Sequence, residues 1–75
     1  IDRELLLARV QTTETNRHEL EQLVWRSGGR ITDAAAQSVV IEATGNTKTL
    51  DDLVQQLRVY GITTLVRTGR VALYA

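Results

Sequence analysis

The chain predicts an α+β fold: a ferredoxin-like βαββαβ sandwich, with a four-stranded antiparallel sheet, two helices on one of its faces, and a last strand extended past a glycine bulge. Two amphipathic stripes at helical spacing, Leu20/Leu23/Val24 and Leu50/Leu53/Val54/Leu57, carry the first part of the prediction. Runs rich in β-branched or alternating apolar residues stand before, between and after them, and Gly28-Gly29, Gly45 and Gly61 punctuate the boundaries. Right-handed crossovers then put both helices on the same side of the sheet.

Taken in order, Glu4 to Gln11 reads as a first strand. Leu6, Ala8 and Val10 share one face, and Leu5, Leu7, Arg9 and Gln11 the other. Asn16 to Ser27 is the first helix, with Asn16 and Glu19 spaced as a capping box and Gly28-Gly29 as its left-handed stop. Trp25 and His18 sit together roughly opposite its buried stripe. Arg30 to Ala36 is a weak, Ala-rich strand suited to a sheet edge or bend. Gln37 to Thr44 is a stronger one, with Val39, Ile41 and Ala43 on one face and Val40 and Glu42 on the other. A turn over Thr44-Gly45-Asn46 leads to a second helix from Thr49 to Tyr60, which Thr49 caps, with Asp51 and Asp52 in the first turn and Gly61 at the end. Ile62 to Arg67 is the fourth strand; Thr68-Gly69 interrupts a run that resumes through Val71 and Leu73.

Composition narrows the function classes. A chain of 75 residues is one domain, and buries only about 60% of the surface that its unfolded form exposes. With no Cys and His18 as the single His, disulfides and a structural metal are closed as routes to extra stability, which leaves oligomerisation or docking. The absence of Cys fits a reducing, cytoplasmic setting. Nine Lys+Arg balance nine Asp+Glu, so no net field draws the chain to nucleic acid or an anionic membrane. Eight of the nine bases are Arg, a residue suited to interface ion pairs. No apolar run approaches the roughly 20 residues that a membrane-spanning helix needs. The chain opens at Ile1 rather than Met, which points to a segment of a longer polypeptide.

No arrangement of residues suggests an enzyme, a metal centre or a cofactor site. His18 lacks a positioned partner for base catalysis, and Ser27 and Ser38 lack a nucleophile elbow. Asp51-Asp52 read best as helix-terminal charge, and Gly28-Gly29 have no phosphate-loop context. Arg9, Arg30, Arg67 and Arg70 could line an RNA-binding sheet, but such sheets stack bases on aromatics, and Trp25, Tyr60 and Tyr74 are not central to an inner strand. Trp25 reads either as a cap on the core edge or as an interface anchor. Leu5, Leu7 and Val40 lie on the face that the helices leave uncovered, and that apolar area argues for a dimer or an interdomain contact.

Four blocks then resemble the C-terminal domain of the small, regulatory subunit of acetolactate synthase: Arg3 to Val10; Gly29 to Asp33; Thr44-Gly45 followed by Leu50; and Tyr60-Gly61-Ile62 leading to Arg67-Thr68-Gly69-Arg70-Val71-Ala72-Leu73. The resemblance spans nearly the whole chain. It implies a single ACT-like, ferredoxin-like regulatory domain, following an N-terminal ACT domain, in a subunit that activates a thiamine-diphosphate-dependent catalytic subunit and confers feedback inhibition by branched-chain amino acids. The ACT half is not among these residues, so no valine-binding residue is carried over. The family tends to place Lys directly before the aliphatic residue that opens the second helix. Here Thr49 intervenes between Lys48 and Leu50, and no role is carried over to Lys48. The expected function is non-catalytic regulation through contact with the catalytic subunit and a second copy, in the cytoplasm or, in a plant, the plastid. The expected contact residues are Leu5, Leu7, Val40, Trp25, Arg67, Arg70, Val71 and Leu73. The alternative is a free-standing amino-acid sensor that binds its ligand at a dimer interface.

Overall fold

The computed structural model describes residues 2–69 and 71–72. The elements are β1 (Asp2–Gln11), α1 (Arg17–Arg26), β2 (Arg30–Ala34), β3 (Ser38–Gly45), α2 (Thr47–Leu57), β4 (Ile62–Arg67) and β5 (Val71–Ala72). The sheet order is β2-β3-β1-β4, with β5 also on β1, and every pairing is antiparallel. This is the ferredoxin-like arrangement, and β2 does lie at an edge, ending at Ala34 rather than Ala36 and so leaving two of the three expected alanines in the loop. β1 is longer than expected because β5 pairs with Asp2 and Arg3. The register on β1 slips by one residue between Leu6↔Arg67 and Arg3↔Val71, with Gly69 at positive φ inside the slip. The interrupted last run is therefore one strand line broken by a bulge.

Alternation along the strands decides what is buried. Leu6, Ala8 and Val10 of β1 and Val39, Ile41 and Ala43 of β3 meet Leu20, Leu23 and Val24 of α1 and Leu50, Leu53, Val54 and Leu57 of α2 in one core. Each fully buried Leu, Ile or Val side chain contributes roughly 1.5–3 kcal/mol of transfer free energy. Both helices draw on the same sheet face, so the other stays uncovered.

Helix termini are where the fold departs from expectation. Asn16 makes no side-chain cap on α1. Its Oδ1 instead accepts the Thr13 amide at 2.8 Å, while Thr13 Oγ1 accepts the Asn16 amide at 3.3 Å. The reciprocal box thus sits one turn earlier, with Asn in the place usually held by Glu or Gln. Glu19 is left to accept a hydrogen bond from the Tyr60 hydroxyl. At the other end the Gly29 amide bonds to the Val24 carbonyl and the Gly28 amide to the Trp25 carbonyl, a Schellman closure that needs the left-handed Gly28, φ 77°. Gly29 suits its position for a separate reason: a Cβ there would stand 3.0 Å from the Glu42 carbonyl oxygen of β3, tight enough to force a small shift.

For α2 the cap is Asn46, not Thr49. Asn46 is extended, φ −77° and ψ 165°, and its side chain accepts the Thr49 amide at 2.8 Å. The helix starts at Thr47, which moves Asp51 and Asp52 beyond the first turn, and it ends at Leu57 rather than Tyr60. Arg17, in the first turn of α1, reaches the carbonyls of Ala35 and Ala36 in the β2–β3 loop. This clamp had no counterpart in the sequence pattern. Losing the Asn46 cap in Asn46→Ala should cost about 1 kcal/mol and lower the unfolding midpoint by roughly 4–8 °C, while Thr49→Ala should stay within about 0.5 kcal/mol of the parent in the same melts.

Candidate functional site: a protein-contact face

The odd-numbered residues of β1, from Arg3 to Gln11, point away from the helices. Register fixes their neighbours: Thr44, Glu42, Val40 and Ser38 of β3 stand beside Leu5, Leu7, Arg9 and Gln11. Val66 and Thr64 of β4 stand beside Leu7 and Arg9 on the other flank. Arg30 and Asp33 of β2 adjoin Glu42 and Val40. Leu7 is central and 37% exposed, Val66 beside it is 54% exposed, and Leu5 and Val40 are half-buried by their neighbours.

The face is less greasy than expected. Among the described residues its aliphatic side chains, Leu5, Leu7, Val40 and Val66, form a cluster inside a polar frame, in which Arg30 pairs with Glu42 at 3.3 Å. Arg3 Nη2 donates to Thr44 Oγ1 at 3.0 Å and Arg9 Nη1 to Ser38 Oγ at 3.5 Å. Val66 escaped sequence reasoning because the β1–β4 register shifts between Arg9 and Val10, so alternation counted from Gly61 does not say which face it takes.

Trp25 stands apart from this face. It is 78% exposed on the outer side of α1, so it does not cap the core edge, and the exposed His18 lies two turns earlier. A shallow groove between the helices is lined by Glu19, Leu23, Arg26, Gln56, Val59 and Tyr60. Within it, burial pushes the Tyr60 phenol up to about 12, and the Glu19 carboxylate adds to the shift.

No group of three or more His, Cys, Asp or Glu side chains among the described residues converges in a way that could hold a metal. Ser27 Oγ donates to the Leu23 carbonyl. Asp51 and Asp52 diverge, the first to Arg67 at 2.7 Å and the second to Lys48 at 3.6 Å, so they act as separate ion-pair partners rather than as the expected helix-start charge.

Arg67, an expected contact residue, has its guanidinium committed within the chain. Its Nε and Nη2 donate to Glu4 Oε1 and Oε2 at 2.6 and 3.0 Å, and its Nη1 to Asp51 at 2.7 Å. Glu4 lies on the helix face of β1 with its side chain only 5% exposed. It also accepts from Thr47 Oγ1 in the first turn of α2, where the helix dipole favours a carboxylate. Sequence reasoning missed Glu4, since a carboxylate on the inner face breaks the apolar alternation without announcing its partner. Of the other expected residues, Arg70 and Leu73 lie outside the described residues, and Val71 is placed only as backbone in β5.

The Arg67 hydrogen bonds hold the Glu4 carboxyl below the usual glutamate value, against the opposing effect of burial, and Glu4 in turn raises Arg67. A depressed carboxylate contributes stability above its unfolded value, about 4.3, and loses it as pH falls through the lower folded value. Arg67→Met should therefore lower the unfolding midpoint at pH 7 by roughly 5 °C or more. That deficit should hold to about pH 5 and narrow in more acidic melts as Glu4 protonates. Asp51→Asn should have a smaller effect, because Asp51 is 58% exposed.

The geometry has counterparts among known proteins. A family model described as the small subunit of acetolactate synthase matches residues 3–75. A protein of Archaeoglobus fulgidus described as a "Probable acetolactate synthase small subunit" is 37% identical over 73 residues, covering 97% of this chain and 46% of that protein. "Acetolactate synthase small subunit 2, chloroplastic" of Arabidopsis thaliana is 34% identical over 73 residues, covering 97% of this chain and 15% of that protein. The crystal structure of the acetolactate synthase small subunit from Thermotoga maritima matches with a TM-score of 0.88 at 29% identity, over 97% of this chain and 45% of that one. The chain thus spans less than half the length of each. Its central strand, hairpin, second helix and bulged last strand all fall within the matched residues, and the chain belongs to the acetolactate synthase small-subunit family.

Proposed function

We propose that this domain is a non-catalytic, ACT-like contact module within a longer small subunit, and that its helix-free sheet face engages the catalytic subunit of acetolactate synthase. The observation that carries the reading is the aliphatic cluster of Leu5, Leu7, Val40 and Val66 on a face that neither helix covers. By binding the active arrangement of the catalytic subunit better than the inactive one, such a module raises activity and transmits feedback control in branched-chain amino-acid biosynthesis. It acts in the cytoplasm, or in the plastid of a plant.

A second copy is accommodated along β4 rather than on the face. Ile62 to Val66 carries no charge, and Leu65 and Val66 are both exposed along it, whereas the opposite edge strand β2 is bulged and bears Arg30 and Asp33. Uncharged edge strands are natural pairing sites. The free-standing amino-acid sensor is not favoured, because the family is that of a subunit. An RNA-binding sheet is not favoured either, because none of the described open-face residues is aromatic.

In the full small subunit carrying this domain, Leu7→Asp should weaken association with the cognate catalytic subunit more than tenfold, the scale of a central anchor. It should reduce activation in parallel and leave the melting curve nearly unchanged. Failure of the unaltered subunit to co-migrate with the catalytic subunit or to change its activity would overturn the reading.

A further inference from the structure

The outward row of β1 reads Arg3-Leu5-Leu7-Arg9, and strand alternation lays those four residues along one line across the open face. Arg3 and Arg9 are about 20 Å apart by strand rise. Among the described residues, the guanidinium of each hydrogen-bonds to a hydroxyl, on Thr44 and Ser38, and neither pairs with a carboxylate. The face bears two described carboxylates. Glu42 is already held by Arg30, and Asp33 is on the edge strand β2. An aliphatic centre bracketed by two cations that form no ion pair among the described residues is therefore the electrostatic pattern.

Resting on the contact reading above, we propose that the occupant of this face is a different polypeptide, presenting an aliphatic ridge with carboxylates near both ends, and not a second copy of this chain. Self-packing through the face is opposed by charge. A two-fold axis parallel to the sheet and passing over the aliphatic centre on β1 sets Arg3 and Arg9 of one copy over the same residues of the other. Like charges across an interface suppress such pairings, whereas opposite charges fix register and speed encounter. The guanidiniums, planar and forked, suit bidentate capture of the partner's carboxylates.

The test uses the full small subunit with Arg3→Glu and Arg9→Glu combined, and Arg3→Lys with Arg9→Lys as the charge-preserving control. Association with the catalytic subunit is followed by titration at several salt concentrations, and self-association by sedimentation. The charge reversal should weaken partner binding tenfold or more and flatten its salt dependence, with the lysine pair close to the parent and with self-association and melting unaltered. Parent-like binding by the reversed variant, beside a loss in Leu7→Asp, would overturn the charge-matched partner while leaving the face as the contact. A change in self-association instead would overturn the choice of occupant. Insensitivity of both variants would remove the face itself and this proposal with it.

Discussion

Alternation along β1 is the constraint from which the rest of the molecule follows. The strand is flanked on both sides, by β3 along one edge and by β4 and β5 along the other. Leu6, Ala8 and Val10 enter the core and the odd-numbered residues define the outer face. A slip of one residue would exchange Leu6, Ala8 and Val10 for Leu7, Arg9 and Gln11 beneath the helices, burying a guanidinium where the core now holds methyl groups. Register is strongly specified here because the two faces differ so much in charge.

Among the described side chains of β1, Glu4 is the buried one that carries charge, and its surroundings explain why the fold tolerates it. The start of α2 lies over it, Thr47 donates to it, and Arg67 arrives from β4 in forked geometry. A buried ion pair adds little net stability over a well-packed apolar pair, but losing one member is costly. The cluster is therefore better understood as a fastener of position, holding the first turn of α2 and the end of β4 on the same point of β1.

Most of the fold was legible because it rests on periodicity. The stripe of Leu50, Leu53, Val54 and Leu57 and the alternation of Val39, Ile41 and Ala43 are local patterns, and all seven residues are buried. Helix starts were less legible because several residues of capping type stand within three positions of one another. Asn46 competes with Thr49, and Thr13 with Asn16, so the choice is decided by backbone angles that no pattern encodes. The open face was only partly legible. Leu5, Leu7 and Val40 follow from counting along strands, but Val66 depends on a bulge, and the partners of Arg67 lie 63 and 16 residues away in sequence.

The central place of β1 also governs how the chain can reach its native state. Its last partners are supplied from the far end of the sequence: the Leu5 amide bonds to the Thr68 hydroxyl and the Thr68 amide to the Leu5 carbonyl, at a sequence separation of 63. Sheets assembled from such distant pieces close slowly, since the entropy of a long loop is spent before any contact rewards it. During synthesis the first strand emerges early and waits, with one edge open, until Thr68 has left the ribosome. At that stage the open edge of β1 is a ready template for pairing with another chain.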